Sequence, residues 1–257
     1  MSGARPVALV TGGRRGIGLG IAKALATDGF DIALTGLGEA SADDPVLAEL
    51  RALGVRAIYL QSDLADLARH QPTVDAVLHD FGRIDCLINN AGIASVVRCD
   101  FLDLDPHNFD TIVGTNLRGT VFFTQTAVRA MLTNTKSDFA RSVINITSVS
   151  STMSSPERLD YCMTKAGLAA FTQGLALRLA ETGIGVFEVR PGIIRSEMTA
   201  KVSEKYDAQI AAGLVPMKRW GEPADIGAIV SSLASGKFGF ATGSVIDADG
   251  GLSISRL

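Results

Sequence analysis

The sequence predicts a single α/β domain in which a parallel sheet is covered by helices on both faces. Three observations carry that expectation. Short, continuous apolar runs recur along the chain, helix-patterned segments separate them, and a glycine-rich turn, TGGRRGIG, joins the first run to the first helix. Continuous apolar runs suit strands buried on both faces. Alternation of strand and helix predicts right-handed crossovers in a doubly wound sheet.

The first strand is expected at Val7–Thr11 and the first helix at Ile17–Thr27, where Ile21, Ala24 and Leu25 share one side. Asp31–Thr35 is the second strand, followed by a helix over Asp44–Leu53 with Pro45 in its first turn. Arg56–Gln61 is the third, and Pro72 opens the next helix, Gln71–Phe81, in the same way. Cys86–Asn89 reads as the fourth strand and Asn108–Leu132 as one long helix. The polar stretch Thr133–Arg141 reads as a surface loop before the fifth strand, Ser142–Thr147. A long helix over Arg158–Glu181 leads to the sixth strand, Gly185–Val189. Arg195–Pro216 is longer, carries a short helix near Glu204–Ala211, and reads as a substrate lid. A helix from Pro223 to about Ala234 and a seventh strand at Val245–Asp247 follow. No repeat, low-complexity tract or linker divides the chain, so residues 1–257 read as one domain.

Composition excludes several function classes. Apolar residues make up 47% and charged residues 20% of the 257, an ordinary globular balance. A formal net charge of −3 gives no electrostatic case for nucleic acid or an anionic membrane as partner. There is no charged–apolar–small leader and no apolar run near roughly 18 residues, so a cytoplasmic protein is expected. Cys86, Cys99 and Cys162 lack metal-ligand spacing and suit free thiols in a reducing compartment. His70, His79 and His107 also lack such spacing and read as solvated or capping groups, so no metal is expected.

The glycine turn leaves the C-terminal end of the first strand and opens the first helix. Glycines there permit positive φ and close approach of a ligand to the backbone, and free amides at a helix start favour a phosphate. On the turn alone, a glycine-rich connection without a ligand is the alternative. Tyr161 and Lys165 lie four apart on an expected helix and so share a face. Ser148 stands at the end of the fifth strand, where ligands of open α/β sheets bind. These residue types suit carbonyl reduction: the developing oxyanion needs a proton and a hydrogen-bond donor. An ammonium beside a phenol lowers the phenol's pKa towards a useful range. In isolation, Tyr161 and Lys165 would read as a solvated helix pair. Any single hydroxyl of the run SVSSTMSS would read as a strand-end cap.

In this order the motifs resemble the classical short-chain dehydrogenase/reductase family, whose cofactor turn is spaced T-G-x-x-x-G-x-G as in Thr11–Gly18. The resemblance runs through Asp63, the segment Asn89-Asn90-Ala91-Gly92, Asn116, Ser148, the Y-x-x-x-K pair, Pro191-Gly192 and the tail RWGEPADIG…GSVIDADGG. It implies a Rossmann-type sheet of about seven strands in the order 3-2-1-4-5-6-7. It also implies a cofactor site of Gly12, Arg14, Arg15, Gly16, Ile17, Gly18, Asp63, Leu64, Asn90, Ala91, Gly92, Tyr161, Lys165, Pro191, Gly192 and Ile194. The implied catalytic set is Asn116, Ser148, Tyr161 and Lys165. Tyr161 is the general acid in reduction and the base in oxidation. Lys165 tunes it and binds the nicotinamide ribose, Ser148 holds the carbonyl oxygen, and Asn116 links Lys165 to solvent through water. Asp63 would hold the adenine ring, although as a residue it is also a plain helix cap. Ser196 stands where the family has threonine.

The acidic position of NAD-linked members falls on Gly36, while Arg15 resembles a position of NADP-linked members and Arg14 adds a cation; NADPH is therefore the expected cofactor, with NADH possible. Leu37 stands where many NADP-linked members have arginine, and Glu39, Asp43 and Asp44 lie nearby. The wording of the turn, the long helix and the tail is similar to that of 3-oxoacyl-(acyl-carrier-protein) reductases. That similarity implies a ketoreductase, with an acyl-carrier-bound substrate and a homotetramer as further expectations. The two arginines that dock the carrier in those enzymes correspond by offset to Phe139 and Thr182, with Arg158 and Arg178 as possible substitutes. A sugar or polyol dehydrogenase on the same scaffold is the alternative, and a non-catalytic NADPH-binding regulator is the alternative of another class. Phe122, Phe123 and Phe171 read as packing or subunit-interface residues.

Overall fold

The computed structural model describes residues 4–39, 41, 43–133, 138–197 and 203–256. Seven strands form one sheet: β1 (Val7–Thr11), β2 (Asp31–Gly36), β3 (Ala57–Gln61), β4 (Cys86–Asn89), β5 (Arg141–Ile146), β6 (Ile184–Pro191) and β7 (Val245–Ala248). Their order is β3-β2-β1-β4-β5-β6-β7, and every pairing is parallel. Fold class, strand count and strand order therefore match the sequence expectation. The chain reverses its direction of travel across the sheet between β1 and β4, which creates a crevice at their C-terminal ends.

Two apolar layers sandwich the sheet. On one face, α1 (Gly16–Thr27), α2 (Pro45–Ala52) and α8 (Pro223–Ala234) bury Ile21, Leu25, Leu50, Ile226 and Val230 against Val10, Ile32, Ile144 and Phe187. On the other, α3 (His70–Phe81), α5 (Thr120–Thr133) and α6 (Leu159–Leu179) bury Val74, Val77, Phe123, Met131 and Leu179 against Leu9, Leu87, Val143 and Val186. Each such side chain removed from water contributes about 1.5–3 kcal/mol. Helices α1 and α8 approach closely because both carry glycine at the contact. A Cβ on Gly20 would meet the Pro223 carbonyl oxygen at 2.5 Å, and one on Gly227 the Gly20 oxygen at 2.5 Å. A further helix, α7 (Ser203–Ala211), follows β6.

Two expectations change. The helix expected over Asn108–Leu132 is α4 (Pro106–Val113), a π-helical turn over Gly114–Gly119, and then α5. A one-residue expansion of the helix cannot be read from hydrophobic periodicity, and such turns gather at functional sites. His70 is buried rather than solvated, with its Nε2 3.0 Å from the Leu64 carbonyl oxygen and its ring edge-on to Phe123. The acidic N-caps Asp44 and Asp105 place the starts of α2 and α4, each followed by proline. The loop expected at Thr133–Arg141 and the lid expected at Arg195–Pro216 fall partly outside the described residues, at 134–137 and 198–202.

Candidate active site

The crevice is fastened by one threonine and one asparagine. Thr11, at the end of β1, donates its hydroxyl to the Ile88 carbonyl at 3.2 Å and accepts from the backbone amides of Asn90 and Ala91 at 3.0 Å each. The Asn90 side chain donates back to the carbonyls of Thr11 and Gly12 at 2.9 and 3.1 Å. The glycine turn is thus bound to the end of β4. Gly12 and Gly16 adopt φ of +64° and +51°, a region costly for residues bearing a Cβ. A Cβ on Gly18 would lie 2.3 Å from the Gly12 oxygen. No side chain caps the first turn of α1, so its amides remain directed outward for an anion. This cradle fits the pyrophosphate of a dinucleotide, with the amides of Gly16, Ile17 and Gly18 as the holding groups.

The far corner of the crevice explains Gly36. A Cβ there would stand 2.9 Å from the Tyr59 hydroxyl oxygen, and that hydroxyl donates to the Gly38 carbonyl at 2.8 Å. Tyr59 therefore occupies the space in which an acidic side chain would begin. Arg14 is not simply solvated: its guanidinium stacks 4.5 Å over the Tyr59 ring, donates to the Glu39 carbonyl at 3.0 Å and pairs with buried Asp44 at 2.8 Å. Arg15 pairs with Glu197 at 2.5 Å, with both side chains mostly exposed. Asp63 is exposed and accepts from the Ala65 amide at 2.9 Å, while Leu64 is buried beside it. Pro191 ends β6, and the Gly192 amide donates to the Ala248 carbonyl at 3.1 Å. Ile194 is buried in a short parallel bridge with Gly221.

Ser148, Tyr161 and Lys165 meet beyond the end of β5. The Ser148 oxygen accepts from the Ser150 amide at 3.1 Å, which fixes the turn that brings α6 back, and its hydroxyl is near enough to the Tyr161 phenol to pull the phenol's pKa down. Lys165 is buried at 5% exposure and donates its ammonium to the Ile146 carbonyl at 3.0 Å, with Nζ 5.7 Å from the Tyr161 ring centre. Burial pushes the Lys165 pKa down to about 8, against an opposing pull from Glu188. Burial raises the Tyr161 pKa, and what opposes the rise is Ser148 and then the Arg158 charge.

Asn116 sits on the π-helical turn, fully buried. Its oxygen accepts from the Ile93 amide and its nitrogen donates to the Ile93 carbonyl, both at 2.8 Å, with a longer contact of 3.4 Å to the Thr164 hydroxyl. Gly92 lies between Asn116 and Lys165: a Cβ there would stand 3.1 Å from Asn116 Oδ1 and 3.7 Å from Lys165 Nζ.

Sequence reasoning missed Glu188. It is fully buried in β6 on the face that meets α6. It accepts from the Thr147 hydroxyl at 2.6 Å and pairs with Arg190 at 2.7 Å. The signal was present, since a glutamate inside the apolar run GVFEV contradicts a strand buried on both faces unless it has partners. Asp160 was also missed: it is buried, accepts from Ser95 at 2.6 Å and from the Tyr161 amide at 2.7 Å, and so ties the segment after β4 to the start of α6. Phe139 lies before the N-terminal end of β5, under Arg83 at 4.7 Å, and Thr182 precedes β6. Both are at the sheet edge opposite Ser148.

The family model described as enoyl-(acyl carrier protein) reductase matches residues 12–253. The 3-oxoacyl-(acyl-carrier-protein) reductase FabG of Staphylococcus aureus is 35% identical over 246 residues, covering 95% of this chain and 97% of its own. A crystal structure of 3-oxoacyl-(acyl-carrier protein) reductase from Brucella melitensis in complex with NAD is 65% identical, with a TM-score of 0.97 and complete coverage of both chains. A structure from Agrobacterium tumefaciens with bound NADP is 28% identical at a TM-score of 0.85, covering 98% of this chain and 97% of its own.

The buried ion cluster generates a prediction. Lys165 keeps its proton up to about pH 8 with Glu188 in place. Glu188→Gln removes the carboxylate that favours the ammonium, so the Lys165 midpoint is expected to fall by on the order of one pH unit. Lysine-detected NMR titration measures it; a midpoint that stays or rises contradicts the assigned role of Glu188.

Proposed function

The chain belongs to the short-chain dehydrogenase/reductase family, and from that premise we propose that it reduces the 3-oxo group of an acyl substrate. It is a nicotinamide-dependent oxidoreductase that interconverts a ketone and a secondary alcohol. The 3-oxoacyl substrate is supported by the relatives' names, and the carbonyl reduction itself by the cluster of Ser148, Tyr161 and Lys165 at the crevice. That cluster is the observation that carries the reading.

When bound, the reduced nicotinamide supplies a hydride to the carbonyl carbon. Tyr161 gives its hydroxyl proton to the carbonyl oxygen as the C=O π bond opens. A phenol whose pKa is held up by burial is protonated at neutral pH and serves as an acid. Ser148 donates a hydrogen bond to the same oxygen. Lys165, held by the Ile146 carbonyl, keeps a positive charge beside the phenol as it loses its proton and binds the nicotinamide ribose. Asn116 holds the Gly92–Ile93 segment and connects Lys165 to solvent through water, with Gly92 leaving the space between them. The segment 195–216 acts as a lid over the substrate. Tyr161→Phe is expected to lower kcat/KM on a 3-oxoacyl thioester by about 100- to 10,000-fold, and near wild-type turnover in that variant overturns the assignment.

NADPH is the preferred cofactor in this reading. Gly36 offers no carboxylate to the adenosine ribose, and Arg15 is held by an exposed ion pair of little stability that a phosphate can displace. Arg14 contributes less, because buried Asp44 already neutralises it. Initial rates are expected to favour NADPH over NADH, and Arg15→Ala to reduce that ratio by about tenfold. A clear NADH preference of the unaltered enzyme overturns this part.

A homotetramer in the cytoplasm completes the reading. Among the described residues no helix is long and apolar enough to cross a membrane, and Cys86, Cys99 and Cys162 are free thiols. Phe122 on α5 and Met163 and Leu177 on α6 expose large apolar surface, as does Phe240 beside β7. Light scattering at micromolar concentration is expected to give four times the chain mass of 26.9 kDa; a monomer would contradict it.

A further inference from the structure

The ketoreductase reading leaves one cation beside the phenol unexplained. Arg158 immediately precedes α6, and its guanidinium carbon lies 5.5 Å from the centre of the Tyr161 ring. It is half-buried, and its hydrogen-bond partner among the described residues is the Ser155 hydroxyl, at a long 3.4 Å. Four other arginines around the crevice each meet a carboxylate: Arg14 meets Asp44, Arg15 meets Glu197, Arg195 meets Glu222 and Arg219 meets Asp225. No such ion pair forms at Arg158 among the described residues. The adjacent acids are directed elsewhere, for Glu157 is exposed and Asp160 is held by Ser95 and the Tyr161 amide. A guanidinium is a rigid fork of donors matched to a carboxylate. Leaving one half-buried with a single weak hydroxyl contact forgoes stability that a ligand anion supplies.

We propose that Arg158 is the anion subsite of the substrate pocket, and that the ketone reduced here is a free 3-oxo acid whose carboxylate it holds. This rests on the ketoreductase reading above and specifies its substrate class. The guanidinium lies 5.5 Å from the centre of the ring whose hydroxyl would meet the carbonyl oxygen, a separation that a short link between carbonyl and anion can span. In a 3-oxo acid one methylene separates the two groups. The phosphate on the arm of an acyl carrier is many bonds further away. Phe139 and Thr182, at the positions of the carrier-docking arginines, lie at the opposite end of the strands, and the arginines that touch them, Arg83 and Arg141, are engaged by Asp85 and by the Met131 and Thr182 carbonyls. The reaction balances with the carboxylate unchanged. Hydride adds to carbon 3, the Tyr161 proton goes to oxygen 3, the π bond is replaced by C–H and O–H, and the products are the 3-hydroxy acid anion and the oxidised nicotinamide. A carboxylate at Arg158 also screens the charge that otherwise draws the Tyr161 pKa down, so the phenol keeps its proton for delivery.

Acetoacetate and methyl acetoacetate, alike but for the charge, test the proposal. The unaltered enzyme is expected to favour acetoacetate in kcat/KM by about tenfold or more. Arg158→Gln should abolish that preference mainly through KM, and Arg158→Lys should restore part of it. Calorimetry should show 3-hydroxybutanoate binding to the cofactor-loaded enzyme weakened by on the order of tenfold in Arg158→Gln, with its methyl ester less affected. Equal turnover of the acid and the ester by the unaltered enzyme overturns the proposal while leaving the ketoreductase standing. So does an equal loss on both substrates in Arg158→Gln, which would make Arg158 only a tuner of Tyr161. If neither compound nor a 3-oxoacyl thioester is reduced although cofactor binds, the ketoreductase reading itself fails.

Discussion

The site depends on keeping one ammonium charged inside the protein. Lys165 is buried at 5% exposure, and burial favours its neutral form. Two features oppose that tendency, and both belong to the sheet. The Ile146 carbonyl, at the end of β5, accepts from the ammonium, and Glu188 on β6 supplies negative charge below it. Glu188 in turn survives in the core because Arg190 and Thr147 bind its two oxygens and its charge. The parallel pairing of Asn145 with Glu188 and Ile146 with Val189 brings these groups together. A one-residue slip would turn Glu188 to the apolar α1–α8 face, where Phe187 and Val189 now pack. The register of β5 against β6 is therefore an electrostatic requirement of the site as well as a packing one.

The same logic explains why so much of the fold was legible. Strands buried on both faces must be apolar, and Val7–Thr11 and Cys86–Asn89 are continuous enough to place without ambiguity. Proline after aspartate at Asp44–Pro45 announces a helix start through local chemistry alone. The glycine turn was legible because its glycines answer to specific close approaches, such as that of Gly18 to the Gly12 carbonyl. The π-helical turn at Gly114–Gly119 was not legible. It alters the helix by one residue and leaves the apolar pattern around it intact, yet it seats Asn116 against Ile93. His70 was misplaced for a related reason: its partner is a backbone carbonyl, and backbone acceptors leave no trace in a sequence.

Charges were the least legible part of the site. From sequence, Arg14 and Arg15 are equivalent neighbours in one turn. In space Arg14 lies on Tyr59 and is neutralised by a buried aspartate, whereas Arg15 meets an exposed glutamate that solvent already screens. Removing the Tyr161 phenol from water raises its pKa, and Ser148 and then the charge of Arg158 oppose the rise. For reduction the outcome is favourable, because the acid must carry its proton until the carbonyl oxygen becomes basic.

What a relative acts on transfers only as far as the residues that recognise it, and fold does not choose a substrate. In the proposed reaction Ser148 and Tyr161 meet the reacting carbonyl, and neither says what is attached to it. That information lies one layer outward, where this chain differs from the carrier-docking pattern. Phe139 covers Arg83 at the distant sheet edge, and Arg158 sits without a carboxylate beside the phenol. A cation at the edge far from Ser148 can serve only a large partner bridging to the crevice. A cation against the ring of Tyr161 acts on the phenol itself and is within reach of a charge carried by a small molecule reduced there. If Arg158 holds a carboxylate as proposed, this chain reads its substrate beside the carbonyl, and the carrier is not what the reaction recognises.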